Sequence, residues 1–599
     1  MNRFLLLFLL ASTSFGQGGL QTRIFDVSPL ISPVSDAPIG FWGLPIWTAY
    51  YQRFSNDRSG ESLDPRMLVR PEALLAIIRD GIPEESWNSE GVTLRLLEDG
   101  RHLVVSQKPD VLKKIGSLLE SMTLRVREPI ALEALILRLG PAELVGLLAN
   151  GPVLPAARVD ALLTGKDQGA VLDGVLRAST IPGLRVRLQS GVRKPFVGIV
   201  DVEVAQEAEA VDPTTLTVFE GLDLTVRPLI SADGKIVLRV QGGIDEDFAT
   251  RDFVSRSTGK MQLPSMRTSR FSGSGRLDDG EALVVGCVLG GEDSSRVLAI
   301  RARRATSPPQ GPMPIPSVDL FPLSDLCLPY LVMPPVSLGA AWGDKRAMDG
   351  DIPTAVAPYE SGHRFISEEE LGDFIRRSVR PEWWGANLYD LEATSDWLWL
   401  LTSPEQNRAV RRFLRGLTDV KAKALGWEVL IVSLPQDVYA AAAREGDRAA
   451  RTILRSPDAF RRFHGVSVME PGGVIDFIAG RESSYIRDNA VEIAQGADIL
   501  APIPGVRFRG VAIRLAPLRL RGESVMLQYD CRLSGGAAGL PPTFEGAGLV
   551  EVGTELPQTT LRQLGGHATV RLGKWNVLGA CPSGIRAGEI EVVLVRPRL

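Results

Sequence analysis

From Leu222 to Arg227 the chain alternates, with Leu222, Leu224 and Val226 on one side and Asp223, Thr225 and Arg227 on the other. A period of two predicts a strand with one apolar and one polar face. Val511, Ile513 and Leu515 repeat the pattern far downstream. Asp233-Gly234 is a turn signal and places Ile236 to Val240 antiparallel to the run before it. Elsewhere the period changes to three or four. Leu74, Ile77 and Ile78 behind Pro71, and Val111, Ile115, Leu118 and Met122 behind Pro109, predict two helices with proline in the first turn. Between them Val92, Leu94, Leu96 and Leu103-Val104-Val105 flank an Asp99-Gly100 turn. With Ile24-Phe25-Asp26-Val27 as leading strand, residues 17–125 read as a βαββα unit carrying an insertion at 32–68. Residues 361–420 read as αββα. A capping box at Ser367-Glu368-Glu369-Glu370 opens the first helix, Leu388 to Leu401 form a strand pair, and a helix from Ser403-Pro404 aligns Val410, Phe413, Leu414 and Leu417.

The two halves also match one another. Gly191, Val202-Glu203-Val204-Ala205-Gln206, Asp212-Pro213, Gly221 and Pro228-Leu229 recur in order as Gly480, Val491-Glu492-Ile493-Ala494-Gln495, Ala501-Pro502, Gly510 and Pro517-Leu518, all at one spacing of 289 residues. The spacing then becomes 293, where Leu263-Pro264 meets Leu556-Pro557, Gly280 meets Gly573 and Val284-Val285-Gly286 meets Val577-Leu578-Gly579. Self-similarity of this kind predicts two copies of one β-rich body, at 126–304 and 421–599. Residues 305–360, with paired prolines at Pro308-Pro309 and Pro334-Pro335, are expected to be an extended linker. The fold class is α+β, as two tandem repeats, each a small helix-and-hairpin domain followed by a mostly antiparallel β domain.

At 599 residues the chain is too long for one core. Its 67 basic and 71 acidic residues leave a net charge of −4, which gives no reason to expect a nucleic-acid partner. Arg3, the apolar run Phe4 to Leu10, and Ser14-Phe15-Gly16 read as a secretory signal at 1–16, cleaved after Gly16. No cysteine follows that run, so a lipid anchor there is unsupported. No later stretch has the length and apolarity of a membrane-spanning helix, a criterion that does not address barrel strands.

Candidate chemistry is sparse. Cys287, Cys327, Cys531 and Cys581 form no metal-binding spacing, and they leave buried thiols or one or two disulfides open. His102, His363, His464 and His567 fall into no ligand or nucleophile-base pattern. Nucleophile-elbow, phosphate-loop and dinucleotide fingerprints are missing. Asp245-Glu246-Asp247 suits a solvated loop better than a calcium site. Trp42, Trp47, Tyr50 and Tyr51 in the insertion, and Trp383, Trp384, Trp397 and Trp399, offer either core burial or sugar stacking. No catalytic, cofactor-binding or metal-binding residue is assigned, and no enzyme is expected.

Gly221-Leu-Asp-Leu-Thr-Val-Arg-Pro-Leu, Ser231-Ala-Asp-Gly-Lys-Ile-Val-Leu-Arg-Val, Leu263-Pro264, Asp278-Asp-Gly-Glu-Ala-Leu-Val-Val-Gly and the closing Glu591-Val-Val-Leu-Val-Arg-Pro-Arg-Leu resemble the core of the bacterial secretins, the outer-membrane family of type II and type III secretion and of pili. The βαββα units are similar to the ring-building periplasmic domains that precede such a core. The resemblance implies an exported structural or assembly protein of the periplasm or outer membrane. It also implies partners among copies of itself or other envelope and secretion components, and outer-membrane association. Two departures argue against an open channel. Only Gly290 to Arg296 and Pro582 to Glu589 stand where the family carries a Pro- and Gly-rich segment, and the core is doubled. The alternative is a monomeric extracytoplasmic binding protein, with glycans as candidate ligands for its Trp and Tyr residues.

Overall fold

The computed structural model describes residues 19–32, 68–167, 170–205, 208–255, 259–289, 295–305, 318–328, 331–332, 359–360, 364–384, 390–394, 396–421, 424–470, 473–494, 497–535, 543–545, 553–555, 560–583 and 586–598. The signal at 1–16 and the aromatic residues of the insertion lie outside them.

The first small unit comprises β1 (Gln21–Asp26), α1 (Ser28–Ile31), α2 (Pro71–Asp80), β2 (Thr93–Leu96), β3 (His102–Gln107) and α3 (Pro109–Val126). Both longer helices start on proline, whose fixed φ suits the first turn. Their apolar stripes, including Ile77, Ile78, Ile115, Leu118 and Met122, close over Leu103 and Val105 of a sheet ordered β1-β3-β2.

Next come β4 (Ile130–Leu139), α4 (Pro141–Leu147), β5 (Val153–Leu154), α5 (Ala156–Leu163), β6 (Val171–Thr180), β7 (Val186–Ala205), β8 (Ala208–Ile230), β9 (Ile236–Ser255), β10 (Gly259–Leu277), β11 (Ala282–Leu289) and β12 (Ser295–Arg304). The predicted turn joins β8 to β9, with Gly234 at a φ of 88°.

The Pro-rich stretch is not a linker throughout. It contains β13 (Val318–Pro322), α6 (Ser324–Cys327), and a two-residue ladder of β14 (Leu331–Val332) with β15 (Tyr359–Glu360). Val318 and Leu320 alternate with Asp319 and Phe321, so a short strand forms where prolines stand only at or beyond its ends. β13 supplies the leading strand that the αββα reading of 361–420 lacks. It pairs with β17 (Trp397–Leu401), which in turn pairs with β16 (Asp390–Ala393), below α7 (Glu368–Ser378) and α8 (Pro404–Lys421). The predicted capping box is present at Ser367 and Glu370. Leu398 and Leu400 face these helices, whereas Trp397 and Trp399 face the first small unit.

The remainder comprises β18 (Leu425–Pro435), α9 (Gln436–Ala443), α10 (Ala449–Arg455), β19 (Phe460–Met469), β20 (Ile475–Ala494), β21 (Ala497–Arg521), β22 (Ser524–Gly535), β23 (Thr543–Glu545), β24 (Gly553–Glu555), β25 (Thr560–Arg571), β26 (Asn576–Pro582) and β27 (Glu589–Arg598). The class is α+β with mostly antiparallel strands.

Two large sheets stack. One runs β25-β22-β21-β20-β10-β9-β8-β7, the other β26-β27-β18-β19-β11-β12-β4-β6 with β5 beside β11. Their facing sides share one apolar core, from Leu224 and Phe271 through Val285 and Ile300 to Trp427, Phe477 and Ile513. The outer face of the second sheet is covered by α4 and α5 in one half and by α9 and α10 in the other. Strands β7, β8, β20 and β21 have 20, 23, 20 and 25 residues, against 10 in β4 and β12, so their distal parts overhang the second layer. There Phe196, Leu216 and Val218 fold onto Met266 and Val506.

Close backbone approach is built in at two places. Gly191 pairs with Gly221 and Gly480 with Gly510. A Cβ on Gly191 would collide with the Glu220 carbonyl oxygen and the Phe219 ring, and one on Gly480 with the Arg509 carbonyl oxygen and the Phe508 ring. Overpacking against backbone cannot relax cheaply, so Gly480→Ala should destabilise the chain by about 1–3 kcal/mol. In contrast, Gly565→Ala, whose Cβ would meet nothing nearer than 3.6 Å, should change little. Urea or thermal unfolding midpoints of the two variants test this, and equal midpoints would refute it.

Candidate functional site

What the fold assembles is a lateral junction between two four-stranded blocks, in each of two sheets. In the first sheet β10 pairs with β20, from Ser265 opposite Ser483 to Phe271 opposite Phe477. In the second, β11 pairs with β19, from Gly286 opposite Val466 to Leu289 opposite Phe463. Both ladders are antiparallel, and a buried ion pair of 2.8 Å between Arg270 and Glu482 crosses the first. Among the described residues each sheet ends, beyond the junction, in strands paired on one side: β7 and β25 in the first, β6 and β26 in the second.

A second meeting point lies behind the first sheet. Arg239 of β9 donates to the carbonyl oxygens of Leu328 (2.7 Å) and Asp325 (3.0 Å). Lys421, at the end of α8, reaches Asp325 and, at 3.1 Å, Glu470 beyond β19. All four side chains are buried. Burial pushes the Glu470 carboxyl up, and Lys421 pulls it back. Segments from both halves and from the former linker are thus locked around two cations, Arg239 and Lys421. The polar side of β8 and β9, including Thr225, Arg227 and Arg239, is buried as well. Alternation located that face without showing that more chain would cover it.

The sequence-level candidates separate clearly. Asp245-Glu246-Asp247 is no solvated loop: it lies within β9 and runs into a bulge of that strand, where Asp247 and Phe248 oppose the single Met266 of β10, and Glu246 pairs with Arg267 (2.6 Å) and with Arg296. Asp173 is shared between Arg138 and Arg296 in the same cleft, of about 660 Å³. A cleft of about 370 Å³ by β19 to β22 is instead lined by Arg462, Arg481, Arg509 and Arg586. Arg462 is matched by Glu591 and Arg586 by Glu589. Among the described residues no group of three His, Cys, Asp or Glu can hold a metal ion. Trp397 and Trp399 are only 5% and 2% exposed, which removes them as sugar platforms, and the Trp384 indole is tied to the Val379 carbonyl. His102 pairs with Asp99 at the surface, and His363 lies outside the described residues. Cys287, Cys327 and Cys531 are buried free thiols, and Cys581 is half-buried on β26. No helix among the described residues is long and apolar enough to cross a membrane, which says nothing of strands.

No protein-family model and no curated protein matches the sequence. Among solved structures the chain is similar to the Salmonella SPI-1 type III secretion injectisome basal body, at 12% identity and a TM-score of 0.22, covering 49% of this chain and 63% of that one. The Salmonella injectisome secretin InvG gives the same identity and score over 89% of its length. Aeromonas hydrophila ExeD is 10% identical with a TM-score of 0.18, over 97% of this chain and 90% of its own. Likenesses of this size are distant ones of fold, and they say nothing of how this chain assembles.

Two measurements probe these contacts. Lys421→Met would leave Asp325 and Glu470 buried without their cation and should cost about 3–5 kcal/mol. Adding Glu470→Gln should recover part of that loss, and no recovery would mean that the charges are not coupled. His464, 2% exposed and 3.8 Å from Glu428, is held below the ordinary imidazole value by burial, with Glu428 opposing. A lowered folded-state value means the unfolded chain binds the proton first. Its contribution is therefore full above about pH 6.5 and is lost as the pH falls from there. Unfolding midpoints between pH 7.5 and 5 should drop less steeply in His464→Asn than in the natural chain, and parallel profiles would exclude the assignment.

Proposed function

We propose that this chain is a secretin-related structural and assembly component of the bacterial cell envelope, exported to the periplasm or outer membrane and acting as a scaffold, not as an enzyme. One observation carries the reading: the doubling seen in the sequence has a counterpart in strand register. Val186 opposite Val226 corresponds to Ile475 opposite Leu515, and the bulge between Val197 and Ile199 corresponds to that between Ile486 and Asp488, each at the spacing of 289. The β4·β6 bulge at Ile136/Leu137 corresponds to the β18·β19 bulge at Ile431/Val432. Bulges re-aim strands, so sharing them is evidence of one body built twice. Such bodies, set edge to edge, suit lateral assembly.

The partners that fit are further copies of the chain or other envelope components. Burial of Trp397 and Trp399 takes support from a glycan-binding monomer. Fractionation of cells expressing the full chain, followed by sizing of detergent extracts, should place it in the envelope as large, detergent-resistant multimers. A soluble monomer would overturn the proposal.

A further inference from the structure

One cleft occurs twice in the molecule, with its charge reversed. We infer that the copy by β19 to β22 binds a compact ligand carrying two or more phosphate groups, through a row of arginines on β10, β20 and β21. The inference stands whether or not the chain assembles.

Strand register makes the two clefts equivalent. Gly191 and Gly221 line the cleft of about 660 Å³, and Gly480 and Gly510, at the spacing of 289, line the one of about 370 Å³. Asp173 and Arg462 hold one position as well, each being the extra residue where β6 and β19 bulge. Asp173 pairs with Arg296 at 2.7 Å, and Arg462 pairs with Glu591. Glu591 stands opposite Ser433, two residues past Ile431, as Arg296 stands opposite Arg138, two residues past Ile136. The ion pair is kept and its polarity inverted. In the same way Glu220 has Arg509 as its counterpart, and Val192 has Arg481. Among the described residues that line them, the larger cleft has five acidic residues and three arginines, and the smaller has five arginines and one acidic residue, Glu589.

The arginine row is costly without an anion. Arg267 lies directly opposite Arg481, and Arg481 directly opposite Arg509, so three guanidinium groups fall in one row across adjacent strands. Like charges opposed in this way destabilise a sheet. The row belongs to the core-facing side of the first sheet, since Arg267 and Phe271, Arg481 and Phe477, and Arg509 and Ile513 are each four residues apart on one strand. Glu246, 2.6 Å from Arg267, and Asp247, 3.4 Å from Arg267 and 3.8 Å from Arg481, offset the Arg267 end of the row.

Phosphate suits this arrangement because a guanidinium presents a planar fork of donors that binds two phosphate oxygens at once. The row spans two strand spacings, about 9–10 Å, so one phosphate group reaches two of its arginines and a second group the third. Arg462 and Arg586 line the same cleft from the second layer, so a ligand held there meets guanidinium groups on two sides. Its volume of about 370 Å³ is that of a small-molecule site. Phe460, 39% exposed and with Arg586 5.2 Å from its ring centre, adds an apolar wall for an organic substituent.

Titration calorimetry of the full chain tests this with two probes, inorganic pyrophosphate and cardiolipin vesicles, the latter read against vesicles of phosphatidylcholine. Saturable binding of pyrophosphate, one per chain, assigns the cleft to a free phosphate compound, and binding confined to cardiolipin vesicles assigns it to a lipid headgroup. In either case Arg481→Gln combined with Arg509→Gln should weaken binding by about tenfold or more. Arg408→Gln combined with Arg412→Gln, which removes two exposed charges from α8, should change it by less than about twofold. Without phosphate the cleft variant should unfold at an equal or higher temperature than the natural chain, because the opposed charges are gone, so that lost binding is not lost folding. Binding of neither probe, or equal weakening by the two double variants, overturns the inference.

Discussion

Everything in this fold hangs on a hydrogen-bonded seam. An isolated four-stranded block would leave β10 and β11 as open edges on one flank and β19 and β20 on the other. Mating them at once in two stacked layers converts two bodies into a single core, in which Phe271 of one half packs with Phe477 of the other. The seam tolerates no slippage. A shift of one residue in either layer would turn the apolar side chains away from the space between the sheets. The two glycine pairs, each roofed by a phenylalanine ring, let neighbouring long strands approach closely just where they leave the layered region.

A seam alone would not position the small units. That task falls to a few buried charges: Arg239 on a core strand holds the backbone of the connecting segment, and Lys421 draws that segment towards Glu470 in the other half. Because these groups are desolvated, their pairing is worth most as a specification of place. The small units then share Trp397 and Trp399 as a common apolar contact.

Legibility in the sequence followed the range of the forces involved. Proline-started helices, the Ser367 capping box, the Asp233-Gly234 turn and the Leu222 to Arg227 alternation are local, and each element was readable from its own residues. The glycines of both close approaches were visible because they recur at one spacing, although nothing pointed to Phe219 and Phe508 as their covers. Readings failed where the partner is remote. Asp245-Glu246-Asp247 looked solvated because its arginines come from β10 and β12. The strand at Val318–Pro322 was hidden by surrounding prolines, and its partner lies some eighty residues on. Burial of the polar side of β8 and β9 depends on a connector that sequence pattern describes only as extended.

Covalent linkage of two blocks carries a counting rule. If whole chains of this kind close into a circle, the number of blocks in it is even, and the true rotational order is half the apparent one. Successive seams around such a circle would alternate between one crossed by the Arg270 and Glu482 charges and one whose matching positions are Gln563 and Arg193, so the wall would be chemically two-toned even where its outline looks uniform.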